Sequence, residues 1–387
     1  MTRLEELIKE YCPGGVEYRN LGDCCRILDY KRKPVTRRNR KAGIYPYYGA
    51  NGVQDHVADY IFDGTYILVG EDGSVVTENY TPVVTWAEGK IWVNNHAHII
   101  EEVSGVMLRY LFYFLQTINI KNLVHGNIPK LNQGDFCSLL IAVPPLPVQQ
   151  EIVRILDKFT ELTKELTKEL TKRKQQYEYY RNYLLDFNSR GVAIKWITLE
   201  EIFDIRNGYT PSKANTEFWS DGSIPWFRME DIRTNGRILS DAIQHVTLKA
   251  VKNNLFSANS IIVSTTATIG EHALITVPFL SNQRFTCLTL KTEYNDRFNI
   301  KFLFYYCYKL DKFCLNNINK GNFASVDMSK FKKFMFPIPP LPVQLRIVSI
   351  LDRFDKLCND ISNGLPAEIN ARKKQLDFYR DRLLAFN

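Results

Sequence analysis

The sequence predicts an α+β chain in which two globular α/β modules are separated by two long helices packed as an antiparallel coiled coil, with a pseudo-twofold internal repeat. Three observations carry that prediction. One stretch is written twice: PPLPVQQEIVRILDKFTEL at 144–162 returns as PPLPVQLRIVSILDRFDKL at 339–357, identical at 13 of 19 positions. RKQQYEYYRNYLLDFN at 173–188 is likewise answered by RKKQLDFYRDRLLAFN at 372–387. A unit of half the chain means two equivalent modules rather than a solenoid of roughly 20 to 50 residue repeats. Second, each copy carries a one-sided apolar stripe at steps of three or four, from Ile152 through Phe159, Leu166 and Tyr177 to Phe187, and from Ile347 through Phe354, Leu357, Ile361 and Tyr379 to Phe386. Third, the segments between the helices are rich in β-type runs broken by Gly and Asp.

Each helix starts just after PPLP, where a proline in the first turn costs nothing because its missing N–H has no intrahelical partner anyway. A PxxP ligand is the rival reading of those prolines, and the helix that follows at once argues against it. If helical throughout, residues 148–188 span roughly 60 Å at about 1.5 Å per residue. Gly364 and Pro366 predict a bend in the second helix. In the first lies TELTKELTKELTK at 160–172. Its leucines at 162, 166 and 170 advance by four, so the tandem acts as a stutter in the seam and a length adjuster, besides being a good helix former with Lys/Glu surface pairs.

In the modules, GTYILVGEDGSVV (64–76), IIVSTTATIGEHALITV (261–277) and FTCLTLK (285–291) read as strand-rich, with GEDGS a turn. LRYLFYFLQTI (108–118) and FLFYYCYKL (302–310) read as helices, and VEYRNLGD (16–23) and IKWITLEE (194–201) as matching module starts. The boundaries expected are a first module at 1–147, its long helix at 148–190, a second module at 191–342 and its helix at 343–387.

A chain of 387 residues, 45% hydrophobic and 24% charged, is an ordinary globular composition with room for two or three cores. No apolar run approaches the roughly 18 residues of a membrane span and the N-terminus has no apolar h-region, so a cytoplasmic location is expected. Eight cysteines without a CxxC pair favour reduced, packed thiols over zinc or disulfides.

Net charge is +8, and it is concentrated: KRKPVTRRNRK at 31–41 holds seven basic side chains and no acid. Such a block repels itself and makes physical sense against a polyanion, although a solvated surface loop is the plain alternative. Lys31, Arg32, Lys33, Arg37, Arg38, Arg40 and Lys41 are the expected phosphate contacts, with Arg228, Arg233 and Lys320 in the second module. Tyr47 and Tyr48 beside the block are placed to stack on bases. Asn51, Asn94, Asn95 and His96, then Asn282, Gln283 and Arg284, are the candidate base readers, because amide and guanidinium groups pair with adenine and guanine edges. Asn322, in a Gly-Asn turn, completes the candidate DNA-binding set. Asn95 and Asn282 read as equivalent positions. His96 and His98 alternate and read as sharing one strand face, polar or packed rather than metal-binding. No methyltransferase tetrapeptide, cofactor-binding Gly-rich loop, phosphate loop or HExxH spacing occurs, so no catalytic and no metal residues are expected.

PPLPVQ-x2-IV-x-ILD followed by a long helix ending Y-R-x2-LL, present twice around two variable segments, resembles the specificity subunit of type I DNA restriction-modification systems. GYTPSK…FWSDGSIPWFRMEDI (208–232) and YPYYGANGV…IFDGTYILVGEDGSV…WVNNHAHI (45–99) look like target recognition domains of that family, and the tetrapeptide tandem is similar to one in a subgroup. The resemblance covers essentially the whole chain. It implies two target recognition domains, each reading half of a split, asymmetric double-stranded DNA target, with the helices setting the spacing. It implies a non-catalytic chain that binds no cofactor itself. Its expected partners are two modification (methyltransferase) subunits, which use S-adenosylmethionine, and restriction (endonuclease/translocase) subunits, which use ATP with magnesium. A coiled-coil adaptor binding only proteins is the alternative of another class. A reader fused to its own nuclease or methyltransferase would need a catalytic segment for which no stretch is left over.

Overall fold

The structure, a computed structural model, describes the chain apart from Met1, Ser74, His125, residues 190–193 and 320–323, Ile361 and Asn387. It divides into two units: Met1–Glu165 with Asn370–Asn387, and Leu166–Ile369. The boundary falls inside the tetrapeptide tandem, so each unit holds part of each long helix. The first helix is continuous from Leu146 to Leu184; Phe187, the last member of its stripe, lies beyond its end. The second is broken, as Leu341–Asn359 and Leu365–Leu383. The break stands where Gly364 and Pro366 predict it. A Cβ on Gly364 would lie 2.6 Å from the carbonyl oxygens of Lys356 and Asp360, so only glycine lets the chain fold back onto that turn. Ile361 lies outside the described residues.

In the first unit a six-stranded sheet runs Arg26–Ile27, Ala97–Glu101, Phe62–Gly70, Val84–Val93, Ala42–Gly49 and Gly52–Val57 in spatial order. One of its cores joins the sheet to the helix Leu108–Leu115 and to the start of the first long helix through Ile67, Leu111, Val148, Ile152 and Leu156. Leu376, Leu383 and Leu384 from the end of the second helix pack into the same core, and Phe159 stacks on Tyr379 at 5.0 Å. The second unit has a five-stranded sheet, ordered Phe203–Asn207, Phe285–Leu290, Ser260–Ser264, His272–Ile275 and Ile238–Leu239, and a three-stranded one. Its helix Ile300–Asn316 packs on Ile347, Val348 and Leu351. Tyr177 and Tyr180 stack on Phe354 at 5.9 and 5.6 Å. Early residues of the first helix thus meet late residues of the second, and late meet early, which is antiparallel order.

The duplicated sequence builds a duplicated joint. Gln149 is fully buried: its Oε1 accepts from the Met107 N–H (2.9 Å) and its Nε2 donates to the Gly105 and Pro144 carbonyls (3.0 and 2.7 Å). Gln344, 195 residues on, accepts from the Asn299 N–H (2.8 Å) and donates to the Arg297 and Pro339 carbonyls (2.8 Å each). Eight residues further along each long helix, the aspartate of each ILD is gripped from the helix Leu108–Leu115 or Ile300–Asn316 by a cation and a tyrosine four residues apart. Arg109 Nε and Tyr113 Oη both donate to Asp157 at 2.7 Å, while Lys301 and Tyr305 donate to Asp352 at 2.7 and 2.6 Å. Burial, helped by Asp157 accepting from the hydroxyl, pushes the Tyr113 phenol up to about 12, so it remains a donor. The matching module starts also hold: Glu17–Asn20 pairs antiparallel with Leu140–Val143, and Trp196–Thr198 with Met335–Pro337.

Candidate nucleic-acid interface

In the first unit, Val84–Val93 runs parallel to Ala42–Gly49 over two residue pairs, Tyr47 with Trp92 and Tyr48 with Val93. Where that strand ends, Asn94 donates its N–H to the Tyr48 carbonyl (3.0 Å), and its Oδ1 accepts from the His96 N–H (2.8 Å). That closes a turn in which Asn94 is buried while Asn95 and His96 face solvent. The second unit repeats the arrangement. Ile224–Phe227 is parallel to Leu280–Ser281 through Trp226 with Leu280 and Phe227 with Ser281. Asn282 donates to the Phe227 carbonyl (3.1 Å) and accepts from the Arg284 N–H (3.0 Å), with Gln283 and Arg284 exposed. The partner of Asn282 is therefore Asn94, not Asn95 as the sequence suggests, because the residue that closes the turn is the one whose amide oxygen caps the N–H two positions on.

The basic segment is built onto the first of these turns. Lys33 donates its N–H to the Val93 carbonyl (3.2 Å), and its own carbonyl accepts from Trp92 Nε1 (2.7 Å). Arg32 is drawn inward, where its guanidinium bonds the Ala97 carbonyl (2.7 Å), Glu71 (2.6 Å) and Asp29 (3.3 Å). Arg40 lies over the Tyr47 ring at 4.1 Å and pairs with Asp55 at 3.2 Å. The His56 N–H and then Arg40 hold the Asp55 carboxyl below its usual range. Tyr47 is 1% exposed, with its hydroxyl donating to the Val35 carbonyl, and Tyr48 is in the core. Arg32, Arg40, Tyr47 and Trp92 hold the segment in place; Lys31, Lys33, Arg37, Arg38 and Lys41 remain exposed with no ion-pair partner among the described residues. Asn51 is exposed and lines a cleft with Gln54, Asp72 and His96.

In the second unit Arg228 pairs with Glu230 (2.9 Å) and Arg233 with Glu271 (3.4 Å), whereas Arg284 has no acidic partner among the described residues. Gly208 sits against the turn, where a Cβ would lie 2.2 Å from the Asn282 carbonyl oxygen, which is why GYTPSK opens on glycine. Lys320 and Asn322 lie outside the described residues.

His96 and His98 do not share a strand face. The strand begins at Ala97, so His96 belongs to the turn and is half-exposed, whereas His98 is fully buried between Asp29 (2.6 Å) and the Leu131 carbonyl (2.9 Å). Asp29, Glu71 and His98 lie close enough for one cation, and the Arg32 guanidinium and Lys130 ammonium already neutralise the two carboxylates. Sequence reasoning missed Asp29 and Glu71, and took the latter for a turn residue. It also missed Asp72 and Gln54, since acids and amides in loops carry no periodic signal. The eight cysteines are free thiols, and burial pushes Cys25 and Cys287 up to about 12, which suppresses the reactive thiolate. Among the described residues no helix is long and apolar enough to cross a membrane.

Two α/β units on repeated helices, each presenting the same exposed turn, define a two-headed recognition protein. The model of the type I restriction modification DNA specificity domain matches the chain twice, at residues 13–173 and 193–371, and the chain belongs to that family. A Haemophilus influenzae chain, named provisionally as a type I restriction enzyme specificity subunit, is 35% identical over 399 residues, 100% of this chain and 99% of that one. The EcoprrI type I restriction enzyme specificity subunit of Escherichia coli is 55% identical over 204 residues, and there the match spans about half of each, 51%. The crystal structure of a type I restriction-modification S subunit from M. genitalium shares the fold, with a TM-score of 0.59 at 15% identity over 96% of this chain and 97% of that one.

Proposed function

We propose that this DNA specificity subunit reads a bipartite, asymmetric duplex target, the first unit one half-site and the second the other, leaving the sequence between them unread. The observation that carries the reading is the pair of equivalent turns, one of them flanked by exposed cations of the basic segment. Base edges specify and phosphates position, and that is the division of labour which exposed amides and guanidiniums beside unpaired lysines and arginines provide. The chain itself performs no chemistry in this reading and binds no cofactor. It works in the cytoplasm with two modification subunits that use S-adenosylmethionine and with restriction subunits that use ATP and magnesium. The tetrapeptide tandem sets the spacer.

Random duplex DNA retained by the full chain copurified with its modification subunits, sequenced after selection at near-physiological salt, tests this. Two different short motifs at one fixed separation are expected, and deletion of one TKEL unit should change that separation while keeping both motifs. Unenriched or absent binding would instead fit an adaptor that contacts only proteins.

A further inference from the structure

The two turns agree in four respects that their sequences do not announce, for VNNHA and SNQRF share only the first asparagine. Each follows a two-pair parallel ladder, each asparagine donates to the carbonyl of the neighbouring strand's residue in the second pair, and each accepts from the N–H two positions on. The third residue's carbonyl is then taken by the chain just beyond the other neighbour, His96 by the Glu71 N–H (2.9 Å) and Arg284 by the Thr265 N–H (3.0 Å). The amide of Asn94 is spent inside, its Nδ2 donating to Gln54 Oε1 (3.3 Å). The second and third residues are the exposed ones, and one in each turn is held by a side-chain hydrogen bond. His96 Nδ1 donates to Asp72, and Thr210 Oγ1 donates to Gln283 Oε1. His96 Nε2 and Gln283 Nε2 have no partner among the described residues, so each is oriented by one polar atom and free at the other. Side chains fixed in this way lose less rotamer freedom on binding.

Resting on the function proposed above, we infer that each unit reads bases with residues two and three of this turn: Asn95 and His96 in the first, Gln283 and Arg284 in the second. Asn94 and Asn282 are positioning residues. Asn95 faces an adenine edge and Arg284 a guanine edge, the bases whose donor and acceptor pairs match an amide and a guanidinium.

Selection on random DNA is repeated with the full-chain complex carrying Asn95→Ala, His96→Ala, Gln283→Ala or Arg284→Ala, after circular dichroism confirms that these exposed substitutions leave the fold intact. The first two should erase preference at base pairs of one half-site, an adenine for Asn95→Ala. The last two should act in the other half-site, a guanine for Arg284→Ala, each leaving the opposite motif untouched. Asn282→Ala should blur its whole half-site and Asn282→Ser, which keeps an acceptor, should restore it. Both motifs surviving unchanged in all four variants, with the wild type selecting a bipartite target, would overturn the inference while leaving the proposed function standing. A wild type that selects no motif would overturn the function and the inference with it.

Discussion

The joint that anchors each long helix and the surface that faces outward follow opposite rules in the two units. At the joint, Gln149 and Gln344 make equivalent sets of three hydrogen bonds, and Asp157 and Asp352 each accept from a tyrosine and a cation at equivalent positions, Tyr113 and Arg109 in one copy and Tyr305 and Lys301 in the other. Beside the turns almost nothing matches. The first unit backs its turn with a basic segment sewn in by Arg32; the second backs its own with aromatics, Trp219 against Trp226 at 5.0 Å and Tyr209 donating to the Ala250 carbonyl (3.0 Å). The fully buried glutamine amides tolerate no loss of a partner, so that part of the joint is kept alike in both copies by energetics, while exposed side chains cost little to exchange.

The largest departure from equivalence sits under the first turn. Arg32→Met removes the inward cation from two mostly buried carboxylates and should destabilise the first unit by about 3 to 5 kcal/mol, with hydrogen exchange in the second unit unchanged. If exchange rose equally in both units, the Arg32 network would not belong to the first unit alone. Next in size, Gln149→Leu and Gln344→Leu each strand one N–H and two carbonyls; urea unfolding should show a loss of about 3 kcal/mol for each, equal within error. Unequal losses would mean that the joints only look alike.

Smaller effects probe the surface. Arg37→Ala combined with Arg38→Ala should lower the slope of log affinity against log salt by about 2 and leave the selected motif unchanged. A changed motif would show that the basic segment reads sequence. The smallest effect lies where the copies differ within the joint. Thr160, 195 residues before Asp355, bonds the Tyr113 hydroxyl at 2.8 Å, whereas burial raises the Asp355 carboxyl above its ordinary value. A raised carboxyl favours the folded state only while protonated, so the contribution of Asp355 is fully present below about pH 3.9 and is lost as pH rises through the raised value. Asp355→Thr should therefore raise the thermal midpoint at neutral pH and lose that gain in acid. No difference at either pH would show that Asp355 ionises without cost.

By itself the sequence determined the duplication, the two long helices, the break at Gly364, the matching module starts and the concentration of charge at 31–41. Each is a local or periodic property, set by side-chain spacing, by the missing N–H of proline and the missing Cβ of glycine, or by a run of like charge. Tertiary structure decided which members of the basic segment face outward, because Glu71, Asp55 and Tyr47, which claim Arg32 and Arg40, are brought there on or just beyond other strands. It also decided that Asn94 answers Asn282 and that His96 parts from His98, since a turn closed by an asparagine amide is defined by backbone hydrogen bonds between strands distant in sequence. Residue order shows which side chains are neighbours along the chain; only packing shows which hydrogen-bond acceptors each of them meets.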